Sequence, residues 1–491
     1  MHILQVAKSL RYEAVAFLTG AAVMVLEIVG TRLMSPEFGT STYVWTAIIG
    51  VILASLAAGF AIGGKVADRF HDSAVLGFIL FIAAMLVLAI GMFQQGILAD
   101  IASYGLDPRI GALLAAIILF SLPSGLIGMV SPHLAKLCVT SLESTGRSIG
   151  RLEAAGTLGS IAGTFSCGYF LLGQFGSRSI VVGIVLLLLI TSFIADIRFY
   201  RRLRVFGLVA AISLSSVASV NPAAVLTDVD SAYARYKVVA GNYENFTVNM
   251  LMTDSGSIQS AAAKSYLDDK VIPGQIVLPY IQQFYDAAKN YDKPLRALVV
   301  GGGTYTLPTA LVKTFPDIKV DVIEIDPALD NLARDYFGYQ PSPRLTIHHT
   351  DGRVYLNNNT TRYDLVYMDA FSSLSPPFQL TTQQTTEGIR SSLTPHGVVV
   401  VNLVGRYQGG AGEYIRALRT TYASSFKHLA IYQTRPELKL DNSRQNFMMY
   451  ASNSVTNYQP ITAKVGRAPV ALKPGGLLLT DNYAPTERLT Y

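Results

Sequence analysis

Seven apolar runs fill the first half of the chain, near residues 14–33, 44–64, 74–95, 109–131, 153–173, 179–197 and 204–220. A helix needs about 20 apolar residues to cross a hydrocarbon layer of ~30 Å, and all but the last run approach that length. So many long apolar helices cannot be absorbed by one soluble core. The reading is therefore a multi-pass transmembrane helical domain over residues 1–220, with six or seven spans, followed by a globular half. Composition agrees. The charged fraction is 15%, against about 25% in ordinary soluble proteins, and the deficit falls in the first half.

The spans carry two further signals. Gly59-Phe-Ala-Ile-Gly-Gly64 and Gly156-Thr-Leu-Gly-Ser-Ile-Ala-Gly163 present small-residue faces that suit close helix packing in lipid. Lys8, Arg11, Lys65, Arg69, Lys136, Arg147, Arg151 and the arginines of 198–204 fall on one set of loops, while Arg32, Arg109 and Arg178 fall on the other. That bias puts the N-terminus in the cytoplasm of a multi-pass cell-membrane protein. Seven spans would leave the globular half outside. Six, with residues 204–220 lying in the interface or docked on the bundle, would leave it inside. Glu27 lies within the first span, and reads either as a functional carboxylate or as one that fixes the bundle.

Several classes are excluded. The net charge of +6 has no long Lys/Arg run behind it, which argues against nucleic acid. Cys138 and Cys167 are the only cysteines, too few for a disulfide framework or a metal cluster, so no metal is expected.

Residues 221–296 read as a linker and a small β-domain, with strands at Tyr236-Lys-Val-Val-Ala and Phe246-Thr-Val-Asn-Met-Leu-Met. From 297 to 491 strands and helices alternate, which predicts α/β architecture: a Rossmann-like doubly wound parallel sheet. It opens on Ala297-Leu-Val-Val-Gly-Gly-Gly-Thr-Tyr-Thr, a buried strand turning through Gly301, Gly302 and Gly303 into a helix. Such a turn lets backbone approach a ligand closely. Glu324 follows at about the spacing at which an acid accepts from ribose hydroxyls. Glu324, Asp326, Asp351 (before Gly352) and Asp369 all close predicted strands, on the edge where open α/β sheets bind ligands. Each acid alone would read as a helix cap or turn. Four on successive strands point instead to a site, with Glu324 on ribose, Asp351 on an exocyclic amine, and Asp369 as general base or ammonium ligand.

Gly-Gly-Gly at 301–303, Glu-Ile-Asp-Pro at 324–327, Asp-Gly-Arg at 351–353 and Tyr-Asp-x-x-x-x-Asp at 363–369 resemble the spermidine/spermine synthases, the polyamine aminopropyltransferases. With helices ahead and Leu478-Leu-Thr-Asp481-Asn-Tyr-Ala-Pro485 behind, the layout is similar to the membrane-fused spermidine synthase-like subgroup. The resemblance implies an S-adenosylmethionine-dependent transferase fold. It implies decarboxylated S-adenosylmethionine, or S-adenosylmethionine itself, as co-substrate, and a small amine such as putrescine as acceptor. It makes Asp369 the catalytic aspartate and places Tyr280, Gln259 and Ser372 at the amine. It leaves a homodimer through the soluble domain open.

Three departures stand out. Thr304 and Ser372 replace family aspartates that hold cationic groups, and Ala234 follows Tyr233 where the family has glutamine. A buried ammonium without a partner costs several kcal/mol. Two other readings therefore stay open: another S-adenosylmethionine-dependent transferase acting on a methyl or lipid-amine acceptor, and a non-catalytic binding domain on a transporter or sensor bundle.

Overall fold

The computed structural model describes residues 2–39, 41–139, 145–196, 225–231, 233–244, 246–253, 258–263, 276–293, 296–370, 377–407, 412–441, 443–473 and 475–490. The chain divides into two compact units, Met1–Pro222 with Val229–Arg235, and Ala223–Asp228 with Tyr236–Tyr491.

The first unit is helical: α1 (His2–Phe38), α2 (Thr42–Arg69), α3 (Ser73–Ser103), α4 (Pro108–Gly128), α5 (Val130–Cys138), α6 (Thr145–Ser166) and α7 (Ser177–Ala195). The break between α4 and α5 has a local cause. Pro132 has no N–H to give the preceding turn, and its ring crowds the Gly128 carbonyl. Asp72 and Asp107 cap α3 and α4, accepting from the Ala74 and Arg109 N–H groups at 3.0 and 2.8 Å.

The glycine faces bring backbones together. A side chain at Gly59 would strike the Gly125 carbonyl, and one at Gly159 the Phe17 carbonyl. At Gly163 it would meet Ala21 at 2.6 Å. These contacts join α2 to α4 and α1 to α6 without intervening side chains. Asp68 at the end of α2 pairs with Lys136 of α5 at 2.8 Å.

Five described helices are long and apolar enough to cross a membrane: Leu10–Phe38, Thr42–Arg69, Ser73–Ser103, Arg109–Cys138 and Ser177–Ala195. The run at 153–173 is also helical, but α6 begins with Arg147, Arg151 and Glu153 and gives way to a π-turn at Cys167–Leu171, so it is not among the five. The run at 204–220 lies outside the described residues. Leu53, Phe60, Ile62, Leu122 and Leu158 are each about half exposed or more, so the bundle shows apolar side chains outward as well as inward.

Two sheets follow among the described residues. The smaller has the order β1 (Val225–Asp230), β2 (Arg235–Tyr243), β3 (Phe246–Met252), β4 (Ile258–Ala263). The larger has seven strands. In chain order they are β5 (Arg296–Val300), β6 (Lys319–Ile323), β7 (Leu345–His348), β8 (Tyr363–Met368), β9 (Leu393–Gly405), β10 (His428–Gln433) and β11 (Gln445–Ser452). Their spatial order is β10-β11-β9-β8-β5-β6-β7.

Helices α8 (Pro279–Lys289), α9 (Thr306–Thr314), α10 (Ala328–Phe337), α11 (Gly352–Asn358), α12 (Gln383–Ser391), α13 (Glu413–Ala423) and α14 (Val455–Lys464) connect or cover the strands. Alternate strand residues feed two cores. Val299, Val322, Tyr367 and Val400 pack on one face, and Leu298, Ile323, Val366 and Val399 on the other. Both faces are covered, which is why these strands read as continuous apolar runs.

The sheet is mixed rather than wholly parallel. β5 to β9 pair in parallel, but β11 runs antiparallel to both β9 and β10. A crossover through α13 carries β10 two places out from β9, leaving one position between them. The chain then returns with no helix among the described residues of 434–441 and 443–444, so β11 fills the gap in the opposite direction. The order of connection reverses between β5 and β8, which makes their C-terminal ends the switch point where ligands bind in such sheets.

Candidate active site at the switch point

The glycine turn is shaped by what surrounds it. Gly301 has φ +96°, and its N–H donates to the Ile323 carbonyl at 2.9 Å. A side chain there would strike the Asp369 carbonyl, so the turn and Asp369 sit together only because position 301 is glycine. Gly302 leaves room for the Tyr305 ring, which a Cβ would approach to 2.5 Å. Tyr305 is itself left-handed at φ +57°, uncommon for a bulky residue. It is buried, and its hydroxyl donates to Asp330 at 2.5 Å.

Glu324 serves the turn directly. One carboxylate oxygen accepts from the Gly302 and Gly303 N–H groups at 2.9 and 3.1 Å, and the other from Asp326 N–H at 3.0 Å. Burial raises its pKa, and these three hydrogen bonds oppose the rise.

Asp326 and Asp351 act as caps. Asp326 accepts from Ala328 N–H at 3.0 Å. Asp351 Oδ1 accepts from Arg353 and Val354 N–H at 2.8 and 3.1 Å, opening α11. Gly352 packs against the end of β5, where a Cβ would meet Val300 at 2.9 Å. His349 ties the neighbouring loops, with Nδ1 3.2 Å from the Glu324 carbonyl and Nε2 3.0 Å from Asp330.

Asp369 follows β8, and its N–H donates to the Val300 carbonyl at 2.8 Å. Its Oδ1 accepts from the Asn402 amide at 2.9 Å. Tyr280, in the first turn of α8, stands beside it and also reaches the Gln259 carbonyl of β4 at 2.8 Å. Burial pushes the Asp369 carboxyl up to about 7, against the pull of Asn402 and Tyr280. Burial and the Asp369 charge hold Tyr280 well above the tyrosine range, so it stays protonated at neutral pH.

The switch point thus gathers Gly301, Gly302, Gly303, Glu324, Gly352 and Asp369, with Tyr280 beside Asp369 and the Gln259 carbonyl on the Tyr280 hydroxyl. Thr304 is buried, with no partner for its hydroxyl among the described residues. Ser372 and residues 254–257 lie outside the described residues. Asn402, Tyr305, Asp330 and His349 escaped the sequence reading, as did Ser260, whose hydroxyl accepts from the Thr304 N–H at 3.4 Å. Of these, Asn402 left a trace: it closes a run of four valines as the acids close theirs. A cavity of about 420 Å³ opens elsewhere, lined by Arg362, Arg390 and Asn453, and contains none of these groups.

The motif at 351–353 is bound to the C-terminal segment. Arg353 pairs with Asp481 at 2.8 Å and donates to Thr385 at 2.6 Å, while Thr382 donates to Asp481 at 2.6 Å. Arg353→Ala is expected to cost about 1–3 kcal/mol, read as a lower denaturation midpoint. An unchanged midpoint would show that the C-terminal segment is held without it.

A glycine turn and acids at the switch point of a doubly wound sheet stand where such α/β sheets take up ligands. Residues 284–434 match the family model of the spermine/spermidine synthase domain, so the C-terminal part of the chain carries a domain of that family. The polyamine aminopropyltransferase of Vibrio vulnificus is 32% identical over 131 residues, 26% of this chain and 44% of that protein. The human eEF1A lysine and N-terminal methyltransferase is 30% identical over 167 residues, 30% of this chain and 24% of that protein. The chain thus spans less than half the length of these relatives. A probable spermidine synthase from Corynebacterium glutamicum superposes with a TM-score of 0.41 at 20% identity, covering 51% of this chain and 89% of that one.

Proposed function

We propose that the α/β part transfers an aminopropyl group from decarboxylated S-adenosylmethionine to a small amine such as putrescine, and that the helical part anchors it in a membrane. The observation that carries the reading is Asp369, buried against the glycine turn with its carboxyl pushed up to about 7. An attacking amine must shed a proton, and a base titrating near the operating pH does this best. The amine nitrogen bonds to the carbon beside the sulfonium, the carbon–sulfur bond breaks, methylthioadenosine leaves, and one proton passes to Asp369. Tyr280 and Gln259 line the amine side, and Ser372 is assigned there by resemblance.

The acids at the strand ends fit a nucleoside. A carboxylate offers about four lone-pair sites. Glu324 uses three on backbone N–H groups, which leaves one for a ribose hydroxyl. Asp351 caps α11 through Oδ1, leaving Oδ2 for the base's exocyclic amine.

Thr304 favours a second reading. An uncharged, buried side chain stands where the resemblance calls for an ammonium ligand, which suits a methyl-transferring use of S-adenosylmethionine. The products separate the two. Purified full-length protein with decarboxylated S-adenosylmethionine and putrescine is expected to release methylthioadenosine, with kcat/KM rising through an acidic limb near pH 7 as Asp369 loses its proton. S-adenosylhomocysteine formed from S-adenosylmethionine instead would favour the second reading. Neither product across several amines, alongside an active control enzyme, would leave a binding module.

The five long apolar helices and their outward apolar side chains support the membrane anchor. A reporter fused at Tyr491 tests on which side of the membrane the α/β part lies.

A further inference from the structure

Asp369 does not meet Asn402 alone. The Asn402 carboxamide accepts on Oδ1 from the Asn446 amide at 2.9 Å while donating from Nδ2 to Asp369 at 2.9 Å. Asn402 is buried. Asn446 lies on β11, where its register partner is Val404 and the partner of Asn402 is Met448. The two asparagines are therefore diagonal neighbours across an antiparallel pair, within reach of each other's side chains.

We propose that Asn446 is a positioning residue for the reaction: by occupying Asn402 Oδ1 with a donor, it holds the carboxamide with its N–H groups toward Asp369 and leaves the other carboxylate oxygen to take the proton. An ionised carboxylate only accepts hydrogen bonds, so it needs the N–H end of that amide. Without Asn446, the buried Asn402 oxygen loses its donor, and the orientation that serves ionised Asp369 becomes the costly one. A chain of amides also polarises each member, strengthening the bond at the carboxylate. Tyr280 is the titratable group facing Asp369 among the described residues, and it stays protonated over this range. The inference rests on the proposed role of Asp369 as base.

Two variants test it. N446L removes the donor at similar size. N446D replaces it with an acceptor, which draws the Asn402 N–H groups away from Asp369. Loss of a hydrogen bond to the ionised form raises a carboxyl pKa. The acidic limb of kcat/KM should therefore move up by about one pH unit in N446L and further in N446D, roughly a tenfold loss below the limb. Above it, activity should return to near the wild-type value.

An unmoved limb with a uniformly lower plateau would mean that Asn446 is structural, and would overturn the proposal. Should N446L fail to fold, the near-isosteric N446D carries the test. The Asp369 carboxyl is also titrated by infrared difference against D369N in the full-length protein, which needs no turnover. A raised midpoint in the variants without any transfer activity in wild type would remove the aminopropyltransferase reading and keep the amide chain. An unchanged midpoint in an active enzyme would remove the amide chain and keep that reading.

Discussion

Asp369→Asn is expected to lower turnover by about 10²–10⁴-fold, the usual contribution of a positioned base, while the affinity for the sulfonium co-substrate changes little. The structure says why the variant should fold. The carboxylate accepts from Asn402 at 2.9 Å, and an asparagine oxygen can accept that bond equally. The Asp369 backbone, which donates to Val300 at 2.8 Å, is untouched. What disappears is the group that can take a proton near pH 7. Methylthioadenosine release in a single turnover, with calorimetric binding of the co-substrate, separates the two quantities. Turnover within tenfold of wild type would mean that the base lies elsewhere.

Gly301→Ala should cost more in structure than in chemistry. A methyl group there strikes the Asp369 carbonyl, and the backbone sits at φ +96°, where an L side chain is strained. A collision with backbone cannot be relieved by a rotamer change, so about 2–4 kcal/mol of destabilisation is expected. Gly303→Ala is the comparison. It has φ +52°, and its Cβ would meet only the Ser260 hydroxyl, at 2.8 Å, which can swing away. Its expected cost is about 1 kcal/mol. Thermal melts of both variants decide the ordering. Equal melting points would show that the turn tolerates a side chain against Asp369.

Much of this arrangement was legible beforehand because it follows from local pattern. The valine-rich strands had to be buried on both faces, and the acids that close them had to collect along one edge of the sheet. Two things were not legible. Whether β11 runs parallel or antiparallel depends on the short return between β10 and β11, which periodicity does not register. The employment of the acids was hidden as well. Cap and site read as rivals in the sequence, yet Asp351 caps α11 with one oxygen, and Glu324 holds the glycine turn with one oxygen and the Asp326 N–H with the other. Capping is a local interaction that any strand-end acid can make, so the sequence could not separate it from a ligand role.

The sequence by itself determined the class of each half. Apolar runs of helix length admit helices with outward apolar faces, and a glycine turn with spaced acids admits a nucleoside edge. Only the tertiary structure decided what stands around Asp369. Tyr280, Asn402 and Asn446 come from one helix and two strands far apart in sequence. Their meeting depends on strand register and on the reversed β11, and hydrogen bonds between distant segments leave no periodic mark in the chain.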